Sequence, residues 1–481
     1  MKSATPHRAA PFAGARARVL GLAIGALALA APAAPQAAAP KTPAVAGRAL
    51  SIDEAVASAL SNDPGVESAD LDWLSASAKA DSAKWKRIPS LSASAGYQRI
   101  SDLTSSVDLG PLGTLSLASL DNVFSFGVNL QYPVFGGFRT RENIAIAGLQ
   151  AQLKDVSRET VRRSLVFDVR RAYWEAVRAT YNRSTLEQNL ELMKQNSDLV
   201  SKQLGQGVAT RADQLGAQLR LEQATEDLGD AQALQKRSFL TLASLMGLDV
   251  SGLGISTSAP DAAPPFDLTT APSAQPSPEA SAAPDEAALV SGALARRPET
   301  RTAELSRRLA EHAVALSRSA LYPTLSLSGS YTYADPNQRV AFQTDPWLFT
   351  GTWAVGLLLS YDVGSLPAAL DDIKSQTLAA SKAKADEDRQ RYAVVLDVET
   401  CIVNLERALR DLVSTQAMVA QAQENLRVME ERVAAGTAKD IDLNTAKFDL
   451  LRIDFSVTNK RIDVLIAQAD LARATASEEL K

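Results

Sequence analysis

Cysteine and histidine are almost absent from this chain of 481 residues. The one cysteine, Cys401, can neither close an intramolecular disulfide nor build a thiolate metal cage. The two histidines are His7 and His312, and His7 lies in a segment that reads as a cleaved leader. That excludes a histidine-based triad and most metal sites in the mature chain. No nucleophile, base and orienting group cluster in the sequence, so an enzyme is not expected and no cofactor is implied. Charge of one sign is also lacking: 50 Lys+Arg against 55 Asp+Glu give a net −5, with no surplus to neutralise phosphates. Nucleic acid is therefore not an expected partner. Aromatics make up only 5%, and after the leader no apolar run approaches the ~18 residues of a spanning helix. What is present is 46% hydrophobic residues, much of it alanine, the strongest helix former. At roughly 150 residues per domain, the length is a prior for about three domains.

Residues 1–40 have the layout of a secretory signal. Lys2, Arg8, Arg16 and Arg18 precede an apolar stretch from Val19 to Ala31, and Ala28-Leu29-Ala30 or Ala31-Pro32-Ala33 offers a small-residue cleavage site. No cysteine stands near for lipid attachment. The chain is expected to be exported, and any membrane span must then be made of strands.

A Pro/Ala-rich stretch, residues 257–284, reads as a linker between two similar halves, 50–256 and 285–476. Asp63-Pro64-Gly65-Val66 lines up with Arg297-Pro298-Glu299-Thr300, and Pro89-Ser90-Leu91-Ser92 with Pro323-Thr324-Leu325-Ser326. Further on Gly127, Tyr132, Gly207 and Asp213 pair with Gly356, Tyr361, Gly436 and Asp442. Each half predicts a medium helix, two strands, a very long helix, a tight turn and a second helix. The long helices run from about Arg139 to Gln206 and from about Pro367 to Ala435. A spacing of four and three residues, as in Leu186, Leu190, Met193, Val200 and Leu204, or Leu405, Leu409, Leu412, Val419 and Leu426, predicts coiled-coil seams.

Four segments alternate with period two. Leu91 to Tyr97, Phe124 to Tyr132, Leu325 to Tyr333 and Trp353 to Tyr361 set apolar residues against serine, glycine, threonine and asparagine. Each is about the ten residues of a tilted transmembrane strand. Phe124, Phe126, Tyr132, Tyr331, Trp353 and Tyr361 stand on the face expected to meet lipid. A soluble sandwich would alternate too, but an exported chain with four such strands favours a membrane barrel. A barrel closed by one chain needs about eight strands, so several chains must share one: two protomers give eight strands, three give twelve.

Leu50-Ser51-Ile52-Asp53-Glu54-Ala55, Asn62-Asp63-Pro64, Tyr132-Pro133-Val134-Phe135-Gly136-Gly137, Gly207-Val208-Ala209-Thr210-Arg211-Ala212-Asp213 and Leu245-Met246-Gly247-Leu248 occur in the order seen in the TolC family of outer-membrane efflux ducts. The chain resembles that family from about Leu50 to Ala476. The resemblance implies an α+β membrane protein of the outer membrane. Its homotrimer would share a 12-stranded barrel continued by a periplasmic α-helical tunnel, with the linker in an equatorial collar. It further implies turns at Gly207, Val208 and Thr210, and at Gly436 and Thr437, that dock a periplasmic adaptor (a membrane fusion protein). Asp213 and Asp442 would line the periplasmic entrance. A second aspartate of the later hairpin is Thr445 here, with Asp440 as a partial substitute. Thr210 with Asp213, and Thr437 with Asp440, also fit helix-capping boxes. His312 reads as a surface or packing residue and Cys401 as a small buried hydrophobe. The leading expectation is a passive duct fed by an inner-membrane exporter of RND or ABC type, in efflux or in type I protein secretion. A soluble periplasmic coiled-coil scaffold is the alternative of another class.

Overall fold

The computed structural model describes residues 48–99, 101, 105–108, 110, 114–117, 122–248, 266–268, 286–335, 349–438 and 440–476. The leader at 1–40 lies outside the described residues, as does the linker at 257–284 apart from 266–268. Strand β1 (Arg48–Leu50) leads into helices α1 (Ile52–Asn62) and α2 (Pro64–Trp85). Ser51 and Glu54 cap α1 reciprocally, each side chain bonded to the other's backbone N–H. The expected single helix is split at Asp63-Pro64. Proline forces the residue before it into extended backbone, and the Asp63 carboxylate then accepts from the Val66 N–H at 3.0 Å to start α2. The second half breaks in the same way at Arg297-Pro298, between α5 (Glu286–Arg296) and α6 (Pro298–Arg318).

Strands β2 (Ser90–Arg99), β5 (Asn122–Gly136), β7 (Thr324–Asp335) and β8 (Thr350–Ser360) form one antiparallel sheet in that order. Its register puts Val128 beside Tyr331 and Tyr331 beside Trp353, so the apolar sets of all four strands share one face. Tyr361 lies one residue past the end of β8. Two pairings carried no period in the sequence. One is a ribbon of β3 (Ser105–Asp108) and β4 (Thr114–Leu117) between β2 and β5; the other is the parallel pair of β1 with β6 (Phe266–Leu268).

The long helices are α3 (Arg139–Gly205) and α7 (Leu366–Ala434), at ~1.5 Å per residue each about 100 Å long. α4 (Arg211–Leu245) and α8 (Asp440–Thr475) return along their far halves. Near the sheet the helices neighbour one another in the order α2, α3, α6, α7; farther away the order is α4, α3, α8, α7. They form a wall one helix thick. Its main core joins α1, α3, α4 and α8 through Tyr173, Phe239, Leu242, Met246 and Ile462, all 2% exposed or less. A second cluster packs α5 against α7 around Val394, Val398 and Cys401. The α7 seam forms as its spacing predicts, with Leu412 buried against Val457 and Val464 of α8. The lower α3 seam differs: its most buried positions include Asn189, Asn196 and Ser197 beside Val200.

Candidate functional site

The two helical hairpins end in turns of the same geometry. Gly207 and Gly436 have φ of 76° and 70°, the left-handed conformation that glycine adopts without penalty. The Val208 N–H donates to the Gln203 carbonyl at 2.9 Å, and the Gly207 N–H to Leu204 at 3.0 Å. Thr437 to Arg432 at 2.8 Å and Gly436 to Val433 at 3.0 Å repeat the pattern. Both are Schellman closures of a long helix.

The helices that follow begin differently. Thr210 caps α4, its hydroxyl accepting from the Asp213 N–H while the Asp213 carboxylate reaches back to the Thr210 N–H at 2.9 Å. Thr437, expected to cap the next helix with Asp440, stands before α8 in a different setting. α8 begins at Asp440, and the Thr437 hydroxyl instead donates to the Arg432 carbonyl at 3.0 Å, closing α7. The reason is register: Thr437 corresponds to Val208, and the position equivalent to Thr210 is residue 439. The Asp440 side chain lies outside the described residues.

Asp213 and Asp442 are both exposed, on the walls of two adjoining clefts of about 490 and 470 Å3. The clefts share Asn196, Arg220 and Ile441, so the structure gathers the two aspartates at one end of the molecule. Val208, 74% exposed, and Gly207 and Gly436 project there as well. The Thr445 hydroxyl donates back to the Ile441 carbonyl at 2.8 Å. Sequence reasoning missed Asn189 and Asn196, whose side-chain oxygens are buried without a hydrogen-bond partner. Their seven-residue spacing on one seam was the available signal.

Charges farther up tie elements together. Arg297, 6% exposed, is held by Glu299 at 3.1 Å and Asp397 at 2.6 Å, and Arg473 adds a bond to Asp397 at 3.3 Å. Burial is the largest single influence on Asp397 and Glu299 and opposes their ionisation. Hydrogen bonds from Arg297, together with the charges of Arg297 and Arg473, outweigh it and hold both below the ordinary carboxylate range. Burial pushes the Cys401 thiol up to about 11, as suits an inert core residue. His312 on α6 meets Glu142 on α3 at 2.6 Å, joining the two halves.

At the other end, among the described residues, the outer strands of the sheet are open on both faces. All ten residues of β2 are exposed, and in β8 Trp353, Val355, Leu357 and Leu359 are each more than 60% exposed. Phe126 and Tyr331 are about half exposed on the same apolar face, with Phe124 and Tyr132 half-buried beside them. The profile of the outer membrane efflux protein family matches residues 55–248 and 289–477. The chain belongs to that family. Efflux proteins similar to it include BepC of Brucella suis, 23% identical over 351 residues, 73% of this chain and 71% of BepC. TolC of Vibrio cholerae is 22% identical over 339 residues, 69% of this chain and 72% of TolC. The fold resembles the outer membrane channel CmeC of Campylobacter jejuni, with a TM-score of 0.72 and 17% identity over 88% of this chain and 85% of that one. This efflux protein is an outer-membrane protein with a periplasmic helical extension, and it is not an enzyme. Among the described residues no helix is long and apolar enough to cross a membrane.

Proposed function

We propose that three copies of this chain form one outer-membrane duct of a tripartite efflux system, passing small molecules such as drugs from an inner-membrane exporter through a periplasmic adaptor. The observation that carries the reading is an apolar sheet with both edges free and its outer strands open on both faces. β2 and β8 are its edge strands, each long enough to span hydrocarbon. Lipid does not tolerate an open edge, and β2 of one copy can pair antiparallel with β8 of the next to close twelve strands. A soluble scaffold would have to hide this surface.

The helices support the same closure. The edge helices of the wall are α2 or α4 on one side and α7 on the other. These carry exposed apolar residues, Leu71, Leu74, Leu215 and Leu219 against Tyr392, Leu396, Val403 and Met418. Matching edges of neighbouring copies would bury them. On this reading 1–40 is the cleaved leader, 50–256 and 285–476 are the repeats, and 257–284 lies in the collar. Asp213 and Asp442 ring the periplasmic entrance, with Asp440 beside them, and favour cations there. The turns at Gly207, Val208, Thr210, Gly436 and Thr437 meet the adaptor. Phe124, Phe126, Tyr132, Tyr331, Trp353 and Tyr361 face lipid or its interface.

Size analysis of detergent-extracted outer membranes tests the assembly: a trimer is expected, and a soluble monomer or dimer overturns it. In planar bilayers, Asp213→Asn with Asp442→Asn should reduce cation selectivity. Unchanged selectivity would remove the carboxylate ring and leave Asp213 as a helix cap.

A further inference from the structure

Midway along α3, Asp168, Arg171, Glu175, Arg178 and Asn182 recur at three and four residues and form one stripe. The opposite face of the same turns is occupied: the Tyr173 hydroxyl donates to the Leu50 carbonyl at 3.0 Å, and α1 packs there. α4 and α8 flank the stripe and enclose with it a cleft of about 850 Å3.

Its walls are chemically specific. Arg171 from α3 and Arg237 from α4 are exposed, and neither makes an ion pair among the described residues. Deeper in, Arg178 is held by Asp463 at 2.6 Å, while its Nε lies 3.7 Å from Glu175, buried and without a hydrogen bond. The Asn459 side-chain oxygen of α8 is also buried without a partner. One cleft thus holds an unused donor and an unused acceptor, each costly to leave so. Lys460 is engaged by Asp411 and Asp463, and among the described residues Asp168 is the cleft's acid that makes no ion pair. Four basic groups line the cleft against three acidic ones, and Phe455, Leu234 and Leu245 give it an apolar side.

We propose that this cleft binds small organic anions carrying an apolar ring, the anionic head between Arg171 and Arg237 and the ring against Phe455. Arg178 Nε donates to the head, and Asn459 accepts from a polar hydrogen on the ligand body. Its role rests on the duct reading: there the face opposite α1 lines the passage, and the cleft holds anionic cargo in transit above an acidic entrance that does not attract it. Binding itself needs only the protomer.

The test is calorimetric titration of the full detergent-solubilised protein with 1-naphthalenesulfonate, and with 1-naphthylmethylammonium as the cation of the same ring. The sulfonate should bind once per protomer and weaken roughly tenfold or more in Arg171→Gln/Arg237→Gln, the loss of charge-assisted bonds. Ser456→Ala, on the cleft wall but outside the proposed contacts, checks that the cleft survives substitution and should retain sulfonate binding within a few-fold. The cation should not weaken in the arginine variant. Absence of sulfonate binding to the unmodified protein, or equal affinity in the arginine variant, overturns the site. Bilayer conductance of the same preparations separates the two readings: current without sulfonate binding removes the site and keeps the duct, and binding without current does the reverse.

Discussion

Two levels of the same helical wall are held by opposite chemistry. Where α1 packs on it, α3 buries Val169, Tyr173 and Val177 against Phe239, Leu242 and Ile462. Some twenty residues farther along the same helix, the buried positions are Asn189, Asn196 and Ser197 with Val200 as their one buried apolar neighbour on α3, and two clefts open between the hairpins. Helix geometry is unchanged, so the difference lies in packing alone. The first level resists separation of its helices. The second has less apolar area to lose, which on the proposed reading suits an end that meets an adaptor and passes cargo.

Deleting core should hurt most at the first level. Leu242 is fully buried, and Leu242→Ala should cost about 4 kcal/mol, read as a lower urea midpoint of the solubilised protein. Glycines sharpen the contrast. Gly247 has φ of 66°, and a Cβ there would lie 2.7 Å from the Asn62 carbonyl oxygen. Gly207 has φ of 76° with nothing within 4 Å. Gly247→Ala should therefore cost about 3 kcal/mol, strain plus a backbone clash, and Gly207→Ala about 1 kcal/mol, strain only. Equal costs would show that the body is no more tightly packed than the tip.

Acid should act on the body through the Arg297 clasp. Asp397 and Glu299 have lowered pKa values, so the stability they add is present above their unfolded values near ~4 and is lost as pH falls through the lowered ones. Asp470, raised chiefly by burial, has the opposite sign: its contribution is present below ~4 and is lost as pH rises through its raised value. At neutral pH Asp397→Asn should destabilise by about 2 kcal/mol, whereas Asp470→Asn should stabilise. Both differences should shrink in unfolding curves taken near pH 3.

Much of this body was legible because its signals are long. The strands show their period over ten residues or more, and the long helices begin and end within a residue of their expected bounds. The β1–β6 and β3–β4 pairs were not legible, since three or four residues cannot display a period. The break at Asp63-Pro64 was written in the proline yet outweighed by the apolar pattern on either side. At the tip the two glycines announced their turns. Thr437 stands before a helix that starts at Asp440, because a Thr-x-x-acid match says nothing about which residue starts the helix. Asn189 and Asn196 stand one residue off the apolar seam of Leu190 and Val200 but are buried in the fold, a matter of rotation that spacing alone leaves open.

The smallest effect is the most telling about the tip. Asn196 is 3% exposed and its Oδ1 has no partner, so the folded state carries a desolvated acceptor that it does not use. Leucine has nearly the same shape. If the buried amides keep the hairpins loosely joined, Asn196→Leu should leave the urea midpoint within about 1 kcal/mol of the parent, or raise it. Backbone amides of α3 near 189–205 should then exchange with solvent more slowly, because opening would expose an apolar side chain in place of an amide that water welcomes. Exchange faster than in the parent would mean that the amide holds the hairpins together, and the tip would then resemble the body.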